Sequence, residues 1–223
     1  SLSGTPSGAE TVTVSPASSA IFDVAGNAAS TSQSNNTGTL NDQLGPTMTI
    51  TAEDGSSNAV SDGSTTNDLS LILTFTSSES TTNFVIGDVT VVGGSLISFS
   101  GSGATYTATF APSSDGATTI DVSGGAYTDG DGNNNTAATQ FNWTYDSTVP
   151  TINGNSLASD NSTIAVTFSE AVYNSAAGSG ALAANDFALS ISGGTATLSS
   201  STPSSISVSS NTYTLGISLS GSP

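Results

Sequence analysis

SDGATTIDVSGGAYTDGDGNNNTAATQFNWTYDSTVPT, residues Ser114–Thr151, carries the pattern on which the fold turns. Two short runs, TTIDV (Thr118–Val122) and FNWTY (Phe141–Tyr145), alternate outward and inward residue types and are rich in β-branched and aromatic side chains. That period-two pattern is the signature of half-buried strands. Between them lies a run of Gly, Asp and Asn, residues that favour turns for backbone reasons. Outward from this stretch the same unit recurs: TVTV (Thr11–Val14), LSLILTF (Leu69–Phe75), VTVV (Val89–Val92), ATYTATF (Ala104–Phe110), TIAVTF (Thr163–Phe168), FALSI (Phe187–Ile191) and TYTLGI (Thr212–Ile217). No helix is expected. The Ala-rich stretch Ala176–Ala184 contains Gly178 and Gly180 and reads as a loop insertion with at most one turn.

The opening stretch has an internal echo. Residues Pro6–Thr47 show the same order: a Thr/Val strand, Asp-x-x-Gly-Asn (Asp23, Gly26, Asn27 against Asp129, Gly132, Asn133), an Asn-rich run, and Asp-x-x-x-Pro-Thr (Asp42, Pro46, Thr47 against Asp146, Pro150, Thr151). A second pair joins Leu73–Ser95 to Val166–Thr195. The phases differ. Residues 42–145 contain a front and a back half, 1–41 only a back half, and 146–223 only a front half completed by the equivalent of 1–41 in a next repeat. The near-identity of SLSGTP (Ser1–Pro6) and SLSGSP (Ser218–Pro223) fits one turn of a tandem array.

Composition removes whole classes of chemistry. The 223 residues include no Lys, Arg, His or Cys and 17 acidic residues, a formal charge of −17. There is no imidazole base, thiolate nucleophile, Schiff-base lysine, or zinc site of nitrogen and sulfur ligands. Nothing neutralises a phosphate, which excludes nucleic acid and anionic membrane surfaces as electrostatic partners. An aspartic dyad is the one acid–base device left to the chain, and no enzymatic activity is expected. No run of 18 apolar residues suggests membrane insertion. With no Lys or Arg the chain offers no trypsin-type cleavage site, which suits an extracellular protein.

These features together resemble the bacterial Ig-like repeats found in tandem in very large secreted surface adhesins. The resemblance is carried by Phe168-Ser169-Glu170-Ala171, its variant at Phe75–Glu79, FSGSGATYTATFAPSSDG (Phe99–Gly116), the two Asp-x-x-Gly-Asn loops and the Asp-x-x-x-Pro-Thr junctions. It implies an all-β fold of tandem Ig-like antiparallel β-sandwiches of about seven strands. Trp143, Phe75, Phe110, Tyr106 and Phe141 would then form one core, and Phe168, Phe187, Phe22 and Tyr213 the other. It implies a structural repeat unit at the bacterial cell surface, whose partners are neighbouring repeats in a homo-oligomer or multi-stranded fibre. A ligand-binding module for glycans or ice is the alternative, with Thr105, Thr107 and Thr109 as a hydroxyl row.

The carboxylates are the candidate site. Calcium (Ca2+) takes six to eight hard oxygen ligands, and sandwich ends bring Asp, Glu and Asn together. One junction would use Asp129, Asp131 and Asp146 with Glu170 and Asp186; the other would use Asp23 and Asp42 with Glu79 and Asp88. TDGDGNNN (Thr128–Asn135) lacks the closing Glu of an EF-hand loop and lies between strands. The competing explanation for both Asp-x-x-Gly-Asn loops is a β-turn.

Overall fold

The computed structural model describes residues 2–176 and 178–220. Ser1 and residues 221–223, which carry parts of the two SLSG phrases, and Ala177 of the Ala-rich loop lie outside the described residues. Contacts divide the chain between Ser147 and Thr148 into two units, each described by itself.

The first unit opens with a short ribbon, β1 (Thr11–Thr13) against β2 (Thr37–Thr39), and continues into a two-sheet sandwich. Its strands are β3 (Met48–Glu53), β4 (Ala59–Val60), β5 (Ser64–Thr66), β6 (Leu71–Thr81), β7 (Val89–Val92), β8 (Gly94–Pro112), β9 (Gly116–Val122) and β10 (Phe141–Tyr145). One sheet runs β4-β3-β6-β8 and the other β5-β10-β9-β7. All pairings are antiparallel except β5 with β10, which is parallel.

Alternation in sequence becomes alternation in burial. Leu71, Leu73 and Phe75 of β6 are fully buried, while Ile72 and Thr76 face outward. From the other sheet Ile120, Val122, Phe141 and Trp143 meet them in a single core. Burying such side chains stabilises by roughly 1.5–3 kcal/mol each before chain entropy is subtracted. The buried polar atoms are partnered: Trp143 Nε1 donates to Thr66 Oγ1 at 3.0 Å, Thr118 Oγ1 to the Trp143 carbonyl at 2.9 Å, and Tyr106 Oη to the Thr81 carbonyl at 2.9 Å. The aromatic core expected of Trp143, Phe75, Phe110, Tyr106 and Phe141 is therefore present. β8 doubles back at Gly101 and Gly103, both at positive φ, so that the Ser113 amide donates to the Gly93 carbonyl at 2.9 Å.

The second unit holds β11 (Ile152–Leu157), β12 (Thr163–Phe168), β13 (Thr197–Leu198), β14 (Ile206–Ser209), β15 (Thr212–Gly216) and β16 (Leu219–Ser220). β11-β12-β15-β14 form one antiparallel sheet, and β13 pairs with β16. Its core is small: Val166, Tyr213 and Leu215 are buried, with Phe168, Phe187 and Leu189 half-buried around them. Phe168, Phe187 and Tyr213 pack ring on ring at 5.7–6.4 Å between centroids.

Two sequence expectations need correction. Phe187–Ile191 is not a strand, although the alternation is clear; its counterpart β7 is a strand because β9 pairs with it, and the described second unit has no strand in that place. Phe22, placed by the sequence reading in a sandwich completed between repeats, stands exposed in the first unit. β3, β11 and β14, with the short β4, β5, β13 and β16, lie outside the strands read from sequence, and two 3-10 turns, Ile86–Asp88 and Ala184–Asp186, interrupt the coil.

The internal echo is physical. In one copy Asp23 N donates to the Asn27 carbonyl at 3.0 Å and Ala29 N to Ile21 at 2.8 Å; in the other Asp129 N donates to Asn133 at 3.2 Å and Asn135 N to Tyr127 at 2.9 Å. Each turn is closed by an isolated bridge at the same position, Phe22 to Ala28 and Thr128 to Asn134. Gly26 and Gly132 take the same positive φ, 85° and 92°.

Candidate metal centre

Both Asp-x-x-Gly-Asn loops are organised by their aspartate. Asp129 Oδ1 accepts the Asp131 and Asn133 amides at 2.9 Å, and Oδ2 accepts Asn133 Nδ2 at 2.9 Å. Asp23 does the same with Ala25 and Asn27. A third copy lies at Asp54 and Asn58, where Ser57 supplies the positive φ that glycine supplies elsewhere. The turn explanation thus accounts for the Asp, the Asn and the left-handed residue between them.

What the Asp129 loop adds is its neighbours. Gly45 and Pro46 are pressed against it: Pro46 is buried, its carbonyl accepts the Thr136 amide at 2.9 Å, and a Cβ on Gly45 would collide with the Asn134 carbonyl. This docking carries Asp42, whose Oδ1 accepts the Leu44 amide at 2.8 Å, to the loop. β6 delivers Glu79 from the facing sheet. Asp42, Glu79 and Asp129 each place a carboxylate oxygen within 4.8 Å of the others. Asn83 braces the far side, its Oδ1 accepting the Thr128 amide at 3.1 Å. Asn135 fixes the loop from within: its Oδ1 accepts the Tyr127 amide and its Nδ2 donates to the Ser123 and Thr136 carbonyls.

Electrostatics distinguish the members. Desolvation, followed by the negative charges of Asp42, Asp129 and Asp131, raises the Glu79 pKa above the ordinary glutamate value. Desolvation also pushes Asp129 upward, but the hydrogen bonds from Asn133 and the Asp131 and Gly132 amides outweigh it and leave Asp129 below its ordinary value. Glu79 is therefore the strained carboxylate, in a field with no counter-charge anywhere in the sequence.

Of the nine expected ligands the structure gathers three. Asp129 falls with Asp42 and Glu79, across the division drawn from sequence. Asp131 is exposed at the rim, and its charge reaches Glu79. Asp88 and Asp186 close the two 3-10 turns, accepting the Val85 amide at 2.8 Å and the Ala183 amide at 2.7 Å. Asp23 sits exposed in its own turn, Asp146 follows β10, and Glu170 lies half-buried beyond β12 in the second unit. Gly45 and Asn83 escaped the sequence reading, which named Pro46 only within a junction motif and Asn135 only as the end of the Asn-rich run. The Asn-rich run was visible, but nothing local marks Gly45 as the point where two backbones touch.

Three carboxylates fit a hard divalent cation in chemistry, and they fall short of calcium's six to eight ligands, leaving the rest to carbonyls and water. No histidine, cysteine or lysine joins the three carboxylates, since the sequence contains none.

The sandwich just described is similar to a known family. Residues 42–145 match the family described as Bacterial Ig-like domain. The match spans β3 to β10 and includes all three gathered carboxylates. No curated protein and no solved structure matches the chain. In this Ig-like domain Asp42 is the first matched residue and Tyr145, which ends β10, the last.

Proposed function

We propose that the chain is a structural repeat unit of a long extracellular bacterial adhesin or filament, spacing or assembling a stalk at the cell surface. The observation that carries the reading is the turn shared, hydrogen bond for hydrogen bond, by residues 21–29 and 127–135, each with an Asn-rich run and followed by an Asp-x-x-x-Pro-Thr junction, which the β3–β4 turn at Asp54 lacks. A bacterial Ig-like domain is in keeping with an extracellular, non-catalytic module, and tandem sandwiches extend a chain with contacts only between neighbours. Antibody raised against residues 42–145 should label intact cells of the producing bacterium along surface projections. Label confined to the cytoplasm of lysed cells would end this reading.

Calcium belongs to the same proposal. Asp42, Glu79 and Asp129 would hold it, relieving the repulsion that raises Glu79. Millimolar calcium should raise the melting temperature over chelator, and Glu79→Gln should abolish that gain. An unchanged melting temperature leaves the loop as a turn alone.

One observation favours the alternative of glycan or ice recognition. The outer face of the β3-β6-β8 sheet aligns two rows of threonine, Thr49-Thr76-Thr105 and Thr51-Thr74-Thr107. Strand spacing sets these hydroxyls about 4.8 Å apart across strands and about 6.8 Å along them. Thermal hysteresis or glycan-array binding that is lost with Thr74→Val and Thr76→Val would promote it.

A further inference from the structure

We propose that the open edge of β3 at residues 48–50 binds an extended segment of a foreign protein by strand addition, with a lysine or arginine of that segment set against Asp62. The edge follows from the register. The Ser78 amide donates to the Thr47 carbonyl at 2.9 Å, so in the antiparallel β3–β6 ladder the odd-numbered residues of β3 bond to β6. The even-numbered ones turn their N–H and C=O groups the other way, where β4 meets Ala52 and the Asp54 amide donates to the Asn58 carbonyl at 2.9 Å. Met48 and Ile50 are left over. Among the described residues nothing on that side bonds to their main-chain groups.

The path of the chain explains why the edge is open. Continuing the β3–β4 register would set Asp62 opposite Ile50. Instead Gly63 takes a positive φ of 78° and donates its amide to the Asn142 carbonyl at 2.7 Å, which carries the chain to the other sheet as β5. Pro46 closes the opposite end, its carbonyl accepting the Thr136 amide. Between these two stops the edge runs for about four residues, or about 14 Å. A shallow groove of about 130 Å³ lies along it, lined by Met48, Ile50, Asp62, Thr139, Gln140 and Phe141.

Size and charge select the occupant. The groove falls well below the roughly 300 Å³ at which pockets enclose a small molecule, whereas an added strand needs only free main-chain groups and a notch for one alternate side chain. Asp62 is the one charged residue lining the groove among the described residues. Its Oδ1 accepts both the Asn142 amide, at 2.7 Å, and Asn142 Nδ2, at 3.2 Å, which leaves Oδ2 to a cation on the incoming segment. A second copy of this chain has no such cation to offer: it brings 17 acidic residues and no Lys, Arg or His. A short edge flanked by a carboxylate repels its own kind and accepts a basic extended segment. This assignment rests on the first unit alone and needs no adhesin role.

Hydrogen exchange on the full chain reads the edge directly. Without ligand the Met48 and Ile50 amides should exchange far faster than those of Thr49 and Thr51, which β6 protects. The probe is acetyl-Lys-Val-Thr-Val-Lys-amide, which brings a Lys to Asp62 in either strand direction. At millimolar concentration it should slow exchange at Met48 and Ile50 about tenfold or more and leave β12 and β15 unchanged. Putting Glu in place of both Lys should weaken binding about tenfold, and Asp62→Asn should erase that difference while keeping the protection. The same peptide with every amide N-methylated should not protect. Unchanged exchange at both amides or equal binding of the N-methylated peptide would overturn the proposal. So would protection that rises with protein concentration in the absence of peptide, since a second copy would then occupy the edge.

Discussion

Glu79 and Asp129 sit in one cluster and respond to acid in opposite directions. Glu79 is held above its unfolded value of 4.5, so the folded state binds its proton more tightly. Its penalty is fully present above the raised pKa, shrinks as pH falls through it, and is gone below the unfolded value. Glu79→Gln should therefore melt higher than the parent at neutral pH, with the difference vanishing by about pH 4 in melts taken across the range. Asp129 is held below its unfolded value of 3.8, so its contribution is present above that value and lost as pH falls through the folded pKa. Asp129→Asn would turn an NH2 toward Asn133 Nδ2, donor against donor, and should cost about 1–3 kcal/mol in denaturant melts. Asp23, Asp54 and Asp160 are lowered too, chiefly by side-chain hydrogen bonds from Asn27, Asn58 and Ser162, and weaken on the same acid side.

At the scale of elements, the segment between β2 and β3 acts as a clip. Gly45→Ala forces a methyl into the Asn134 carbonyl, and overpacking of that kind costs about 1–3 kcal/mol. Because the clip carries Asp42, the same substitution should weaken any calcium response of the melting temperature together with stability. Trp143→Ala, by contrast, removes the β10 anchor against Phe110 and Tyr145 and should cost about 3–5 kcal/mol while leaving the loop sequence intact. Much of this was legible in the chain. TTIDV, FNWTY and VTVV alternate because each faces a core on one side only, and period two states that directly. Met48, Ile50 and Ala52 alternate just as well but follow a Pro-containing junction that reads as linker. The failure at FALSI is different in kind: a strand needs a neighbour, and pairing is not written in the segment that awaits it. The Asp129 cluster was half legible for the same reason. The residue types were visible, whereas grouping Asp129 with Asp42 depends on Gly45 meeting Asn134 across 89 positions of sequence.

For the molecule as a whole, −17 with no basic side chain makes repulsion a general term opposing compactness. Raising sodium chloride from about 10 mM to about 300 mM should lift the melting temperature, since the screening length falls from about 30 Å to below 10 Å. Equal melting at both salts would mean that the carboxylates lie too far apart to matter. The parallel β5–β10 pairing has a mechanical consequence. Trp143, Thr144 and Tyr145 run alongside Ser64, Thr65 and Thr66, flanked by the Gly63 amide on the Asn142 carbonyl and the Asp146 amide on the Thr66 carbonyl. Tension that reaches β5 from upstream and leaves past Tyr145 pulls these two strands in opposite directions along their length. The rungs are then sheared as a group instead of unzipped singly, so this domain resists being pulled apart between those two points.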